Sequence, residues 1–370
     1  DSGEYPLNRV VTSKLTTLNY LFQIRAGYGQ NAVPKNFNDD ITNWDTSNVT
    51  EMKEVFSGWS IFNQDISNWD TSKVESMHGM FKTSKKVGNY FAGPSDFNQP
   101  IGNWDVSSVV DMSEMFLGAT SFNQDIGNWD VSNVEDMNYM FSGATSFNQD
   151  ISNWDVSNVK DMYRMFCNIT SIGIVAFVGT YEHDYAESTS FNQPIGSWDM
   201  SNVENMKDMF SGATSFNQDI SKWNLIKVES LWGMFSGATS FNQDLSNLDV
   251  SNVEDMNYMF SGAKSFNQDI GNWDVSNVEN MGGMFLRATS FNQDISNWNV
   301  SKVDYMNSMF SGATSFNQPI GNWKLSKSPS MGYMFNGATS FNQDLNGWGK
   351  LVGVEGMFYG ATSFNSPIGK

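Results

Sequence analysis

Cysteine is nearly absent from this 370-residue chain: Cys167 is the only one, which excludes an intrachain disulfide framework and a cysteine-rich zinc site. Basic residues are scarce as well, 21 against 40 acidic ones, for a formal charge of -19 and a pI near 4.3. Such a chain repels phosphates instead of neutralising them, so neither nucleic acid nor an anionic membrane is an expected partner. No run approaches the roughly 20 consecutive apolar residues that cross a bilayer, and no membrane-inserted segment is expected. Only His78 and His183 are available as histidine bases, and there is no phosphate-cradling glycine loop and no metalloprotease helix. These absences argue for a non-enzymatic protein without a resident cofactor.

What is present is one sentence written many times. The stretch SFNQDIGNWDVSNVEDMNYMF at residues 121–141 is followed 25 residues later by SFNQDISNWDVSNVKDMYRMF. The Phe-Asn pair marks 13 copies from Phe37 to Phe364, spaced by 25 except for 35 after Phe62, 44 after Phe147 and 23 before Phe364. Fixed-period self-similarity of this kind signals a stacked array in which each unit needs its neighbours to bury its apolar side. The predicted organisation is an N-terminal helical cap at 1–36, where Val10, Val11, Leu15, Leu18, Leu21 and Phe22 lie at helical spacing, followed by a solenoid over 37–370. Insertions at 82–96 and 168–190 fall at the same place in the unit, after Met-Phe and before Phe-Asn.

Within residues 122–146, Trp129, Asp130 and Val131 alternate inward, outward and inward, which predicts a short strand. Ser132 and Glu135 form a capping-box pattern ahead of Val134, Met137, Met140 and Phe141 at helical spacing, with Gly143 as terminator. The expected fold is therefore an α/β repeat, a right-handed leucine-rich-repeat-like solenoid with one short parallel strand and one short helix per coil. The Phe-Asn and Met-Phe columns take 25 of the 28 phenylalanines and the Trp column 11 of 13 tryptophans, which assigns these aromatics to the core.

The units FNQDISNWDVSNVKDMYRMF and FNQDIGNWDVSNVENMGGMF resemble the BspA-like leucine-rich-repeat surface proteins, in the form of the repeat familiar from mycoplasma lipoproteins. Ile151, Trp154, Val156, Val159, Met162, Met165 and Phe166 match its apolar positions in order. The resemblance implies a leucine-rich-repeat-like coil in a secreted or surface-attached protein used for adhesion or assembly, and it brings no catalytic motif. The chain departs from the regular repeat at Leu248, over 324–329 and over 347–353.

Candidate binding residues follow from the outward columns. Asp45, Asp70, Asp105, Asp130, Asp155, Asp199, Asp249 and Asp274 recur between Trp and the next apolar residue, beside an amide column, and so line an acidic strip. Stacked carboxylates repel, a strain relieved by Ca2+, by a basic partner or by Asx-type hydrogen bonds to the residues that follow. A second acidic column, including Asp65 and Asp150, alternates with proline and reads as a turn position. The asparagine after each Phe predicts an internal amide ladder. Lys85, Lys86 and Tyr90 in one insertion and Phe177 and Tyr181 in the other are candidates for partner contacts, and Asn48 and Asn168 head glycosylation sequons, with Asn168 expected to be the more accessible.

The function expected from these residues is an extracellular or cell-surface scaffold for adhesion, binding a protein or polysaccharide by many repeated contacts. A chain beginning at Asp1 is consistent with removal of a targeting peptide. The alternatives are a self-associating filament or coat subunit and, as a lesser one, a calcium-dependent adhesin.

Overall fold

A 25-residue unit has no interior of its own, so the same positions are buried in coil after coil against the coils above and below. In residues 122–146, Ile126, Val134, Met137 and Met140 are 0% exposed, and Trp129, Val131 and Phe141 are also buried. The structure is a computed structural model, and it describes residues 7, 10–22, 38–59, 61–83, 95–168, 189–349, 351 and 353–368. The chain divides into two units, Asp1–Thr170 with Thr189–Pro194 and Ser171–Ser188 with Ile195–Lys370. Each is a repeat solenoid.

In the first unit, isolated parallel bridges join Thr17, Glu51, Ser76, Asp111, Asp136 and Asp161 in succession. The bridges continue as hydrogen bonds between coils: the N-H groups of Met137, Tyr139, Phe141 and Gly143 donate to the carbonyls of Asp161, Tyr163, Met165 and Cys167 at 2.7–2.9 Å. The intervening peptides close turns inside the coil, with Met140, Ser142 and Ala144 donating to Met137, Tyr139 and Phe141 at 3.0–3.1 Å. Every second peptide thus faces a neighbouring coil and the others complete tight turns, so this backbone is satisfied without helix or continuous strand. The second unit repeats the arrangement, with bridges through Ser230, Asp255, Asn280, Tyr305 and Ser330.

Side chains complete the joins on the other sides of the coil. Asn148 N-H donates to Asn123 Oδ1 at 3.0 Å, and Gln149 Nε2 donates to the Asn123 carbonyl and Oδ1, both at 3.0 Å. The predicted amide ladder is therefore present, and in the second unit Asn267 and Gln268 repeat it on Asn242. Trp154 lies buried with its indole N-H donating to Ile126 O at 3.1 Å, which satisfies its one polar atom. Phe141 stacks on Phe147 at 4.0 Å within the coil and on Phe166 at 5.8 Å across coils.

The elements expected within a coil are corrected by these bonds. No helix forms over Val134–Met137–Met140–Phe141, because Tyr139 has φ 54° and an α-helix requires negative φ throughout. The capping box does not form either: Ser132 donates its N-H and hydroxyl back to Asp130, and Glu135 N-H donates to Val110 O of the preceding coil. Trp129 to Val131 keeps the in-out alternation but carries no bridge; the parallel pairing lies at Asp136 instead. Among the described residues the one complete helical element is the 3-10 turn Asn346–Trp348.

The cap is likewise not helical over residues 10–22. Leu18, Tyr20 and Phe22 donate to Glu51, Lys53 and Val55 at 2.9, 2.8 and 3.1 Å, and Phe22 stacks on Phe56 at 5.8 Å, so this segment is a partial coil laid on the first full one. Val11 is exposed where a cap helix would have buried it. Of the two insertions, residues 84–94 and 169–188 lie outside the described set. Among the described residues no helix is long and apolar enough to cross a membrane.

Candidate functional site

The acidic strip is exposed along its length, and its carboxylates are engaged locally. Asp45 Oδ1 accepts from the Ser47 N-H at 3.1 Å and hydroxyl at 2.7 Å; Asp70 and Ser72, Asp105 and Ser107, and Asp130 and Ser132 repeat the pair. Asp155, Asp199, Asp249 and Asp274 accept the same backbone N-H at 3.0 Å. These are Asx turns. The serine hydroxyl first, then its backbone N-H, holds the carboxyls of Asp45, Asp70, Asp155, Asp249 and Asp274 below the ordinary value. The second column behaves alike, with Ser67 and Ser152 N-H groups bound to Asp65 and Asp150 at 3.0 and 2.9 Å. Among the described residues no group of three or more acidic, histidine or cysteine side chains is arranged to hold a metal ion.

The columns that change from coil to coil lie elsewhere, on the outer side of the ladder. At the position of Tyr139 the residue adopts left-handed backbone in every coil where it is described: Tyr20, Glu54, Glu114, Tyr139, Arg164, Asp208, Tyr258, Ser308 and Tyr333 have φ of 48–58°, and Gly79, Gly233, Gly283 and Gly356 take the same place at 57–63°. A non-glycine residue there costs about 1–2 kcal/mol in backbone energy. Two of these glycines make room for the tyrosine of the preceding coil: a Cβ on Gly283 would collide with the Tyr258 ring, and one on Gly356 with the Tyr333 ring.

In each unit the described tyrosines fall on a ridge made of this column and the varying columns beside it. Tyr20, Tyr139, Tyr258 and Tyr333 hold the left-handed position, while Tyr163, Tyr305 and Tyr359 hold the positions of Asn138, Asp136 and Ser142 in their own coils. Tyr305 is 57% and Tyr359 77% exposed. In the first unit Tyr139 and Tyr163 meet edge to face at 5.0 Å, with the Arg164 guanidinium 4.9 Å from the Tyr163 ring centre. In the second, Trp232 meets Tyr258 edge to face at 6.3 Å. Phenylalanine and column tryptophan are core as the spacing predicts; tyrosine is not. The sequence carries the signal, since no described tyrosine enters the Phe-Asn, Met-Phe or Trp columns.

On the column that Tyr305 shares, burial pushes the Asp136 carboxyl up from its ordinary value, as it does that of Asp255; at Asp136 the neighbouring carboxylates of Asp161 and Asp111 add to the rise and the hydrogen bonds from Asn138 oppose it. One constellation has the membership of a nucleophile relay. His78 Nδ1 lies 2.6 Å from Ser113 Oγ and its Nε2 3.8 Å from Glu54 Oε1. Ser113, however, is buried and donates its hydroxyl to Asp111 Oδ1 at 2.5 Å, so His78 is not placed to take that proton.

Of the remaining sequence candidates, Lys85, Lys86, Tyr90, Phe177 and Tyr181 lie outside the described residues. Asn48 is exposed, whereas Asn168 is 0% exposed, which reverses the expected order of the two sequons: Asn168 ends a coil and is packed within it. Cys167 is buried, and its carbonyl accepts the Gly143 N-H.

No curated protein matches the chain. Among solved structures, the crystal structure of the TLR13-ssRNA13 complex is 12% identical over 85% of this chain and 49% of that one, with a TM-score of 0.21, a likeness that carries no argument about fold or ligand. The chain spans about half the length of that protein. A family model matches in four tandem stretches, residues 4–89, 84–174, 175–271 and 266–370, in keeping with the repeats. Matched over nearly its whole length, the chain belongs to the family described as Mycoplasma protein of unknown function, DUF285.

Proposed function

We propose that this protein is a non-enzymatic extracellular or cell-surface scaffold for adhesion, and that its recognition face is the tyrosine-bearing ridge and not the acidic strip. The supporting observation is the placement of all described tyrosines on columns that vary between coils, four of them at positions where strained backbone is retained although glycine is tolerated. Tyrosine supplies large contact area at low entropic cost and is enriched where proteins meet ligands. The strip's recurrent aspartates are accounted for by their Asx turns. The resemblance to BspA-like surface proteins supports the surface location and adhesive role, and a right-handed winding of the coils accords with the hand of parallel crossover connections.

The partner is a protein or polysaccharide engaged by many weak contacts at once, so that multivalency supplies avidity. The test is a binding screen against surface glycans and matrix proteins, repeated with Tyr258, Tyr305 and Tyr333 changed to Ser and, separately, with Asp130, Asp155 and Asp274 changed to Asn. Attachment is expected to fall in the tyrosine variant and persist in the aspartate variant. The opposite outcome would return recognition to the strip, and persistence in both would remove the described ridge from consideration.

A further inference from the structure

Of the 13 tryptophans, 12 are buried and Trp232 alone is not. It stands in the second unit at the position of Asn138, where other coils carry Ser113 or Gly282, so the fold itself does not call for a tryptophan there. The ring is nevertheless held in place. Its Nε1-H donates to Asn257 Oδ1 at 2.9 Å, in the amide orientation that satisfies both groups, and Asn257 Nδ2 in turn donates to Gly282 O. Tyr258 meets it at an interplanar angle of 87° and lies over Gly283 of the next coil. Two half-exposed rings fixed at right angles, at positions where glycine is tolerated, call for an explanation.

The surroundings limit what these rings can take. From the coil of Trp232 to that of Tyr333, the three columns of Asp136, Asn138 and Tyr139 hold only Ser, Asn, Gly, Asp and aromatic residues, with no aliphatic side chain and no Lys, Arg or Glu. Asp255 is their single carboxylate, and burial raises its pKa. The same columns of the first unit carry Lys53, Glu54, His78, Glu114 and Arg164 instead. Glu229, Glu254, Glu279 and Asp304, each one residue before the first of these columns, are exposed and repel anions. Asn280 and Asn307 accept the N-H groups of Gly282 and Gly332 on Oδ1 at 3.0 and 2.9 Å, and their Nδ2 groups have no partner among the described residues. Beside Ser308, a hollow of about 240 Å3 lined by Arg287, Ser311 and Asn336 adds further donors.

We infer that the ridge of the second unit binds an uncharged polysaccharide, an assignment that rests on the reading of the ridge as the recognition face. Sugar rings present C-H faces that stack on Trp232, Tyr258, Tyr305 and Tyr333, and their hydroxyl oxygens accept the amide N-H groups of Asn280 and Asn307. Coils about 4.8 Å apart offer the same positions repeatedly, and a ligand follows them only if it repeats as well. A proline-rich peptide, a second partner of aromatic grooves, is an all-acceptor backbone that needs exposed donors. The Trp232 indole N-H that would serve it is already engaged by Asn257. A folded protein brings aliphatic side chains to its interface, and these columns hold no aliphatic counterpart.

The full chain is titrated with neutral hexasaccharides of glucose, mannose, xylose and N-acetylglucosamine in α and β linkages, with hexagalacturonate and with decaproline, while acrylamide quenching follows Trp232. Before ligand, the quenchable part of the tryptophan emission is expected to belong to Trp232 and to vanish in Trp232→Phe, since the other tryptophans are buried. At least one neutral hexasaccharide is expected to shield it, with hexagalacturonate and decaproline silent and the affinity unchanged between low and physiological salt. Trp232→Ala is expected to leave the melt nearly unmoved and to weaken binding roughly tenfold by calorimetry, with Trp232→Phe weakened less. No shielding by any neutral hexasaccharide, equal shielding by the uronate or decaproline, or unchanged affinity in Trp232→Ala would overturn the assignment. Such a failure with attachment still lost in the Tyr258, Tyr305 and Tyr333 variant removes the ligand class and keeps the ridge as recognition face; attachment that ignores those tyrosines removes both.

Discussion

Asn123 shows how one amide joins two coils: its Oδ1 accepts the Asn148 N-H and Gln149 Nε2, both at 3.0 Å. Asn123→Ala leaves two donors of the next coil without that acceptor, and a destabilisation of about 1–3 kcal/mol is expected in urea unfolding. The Asp136 carboxylate acts in the opposite sense. Asp136 is half-buried with its folded pKa raised by that burial, so its protonated form is the one the fold prefers. Ionised at neutral pH, it costs stability; the cost disappears as pH falls through the raised folded value and then the unfolded one. Asp136→Asn keeps an oxygen for the Asn138 N-H, now 2.9 Å from Oδ1, and is expected to raise stability at pH 7 with the gain vanishing in acid. Paired thermal melts across that range check it, and a gain that persists in acid would assign the effect to packing instead of charge. Backbone strain gives a third expectation. Ser308 has φ 57° where other coils carry glycine, so Ser308→Gly is expected to stabilise the fold by about 1 kcal/mol.

At the scale of the element, the period and the burial columns were legible because they depend only on which residues recur every 25 positions. The element type was not. Apolar residues at i, i+3 and i+4, such as Met137, Met140 and Phe141, serve a helix and equally a chain of three-residue turns, and the choice rests on where alternate peptides find partners 25 residues away. Positive φ at Tyr139 is invisible in its identity, and only its exchange with glycine in the columns of Gly79, Gly233 and Gly283 betrays it. The partial coil at 10–22 is legible in principle, since Leu18-Asn19-Tyr20-Leu21-Phe22 parallels Met137-Asn138-Tyr139-Met140-Phe141, but its apolar spacing suits a cap helix equally well. If each coil is an interchangeable layer, deleting residues 266–290 joins Ser265 to Phe291 in register. The shortened protein is expected to fold cooperatively with a smaller denaturant m-value, in proportion to the surface one coil hides. A molten or aggregated product would show that neighbouring coils are specific to each other.

For the molecule as a whole, electrostatic self-repulsion adds to the larger entropic cost of ordering the chain in opposing the folded state. The chain carries a formal charge of -19, and the aspartates recur coil by coil, so that Asp249 feels Asp274 and Asp45 feels Asp70 across one layer. Screening falls to a Debye length of about 8 Å at physiological ionic strength, which weakens contacts beyond the nearest coils first. Raising sodium chloride from a few millimolar to the physiological range is therefore expected to raise the melting temperature. Calcium distinguishes this screening from a site. With each strip carboxylate engaged by the serine two residues on, and calcium requiring six to eight oxygen ligands, calcium and magnesium at matched ionic strength are expected to shift the melt equally, and a chelator to leave it unchanged. A rise specific to calcium and reversed by chelator would mean that the Asx turns open to bind it, and would turn the acidic strip from a structural column into a ligand-holding one.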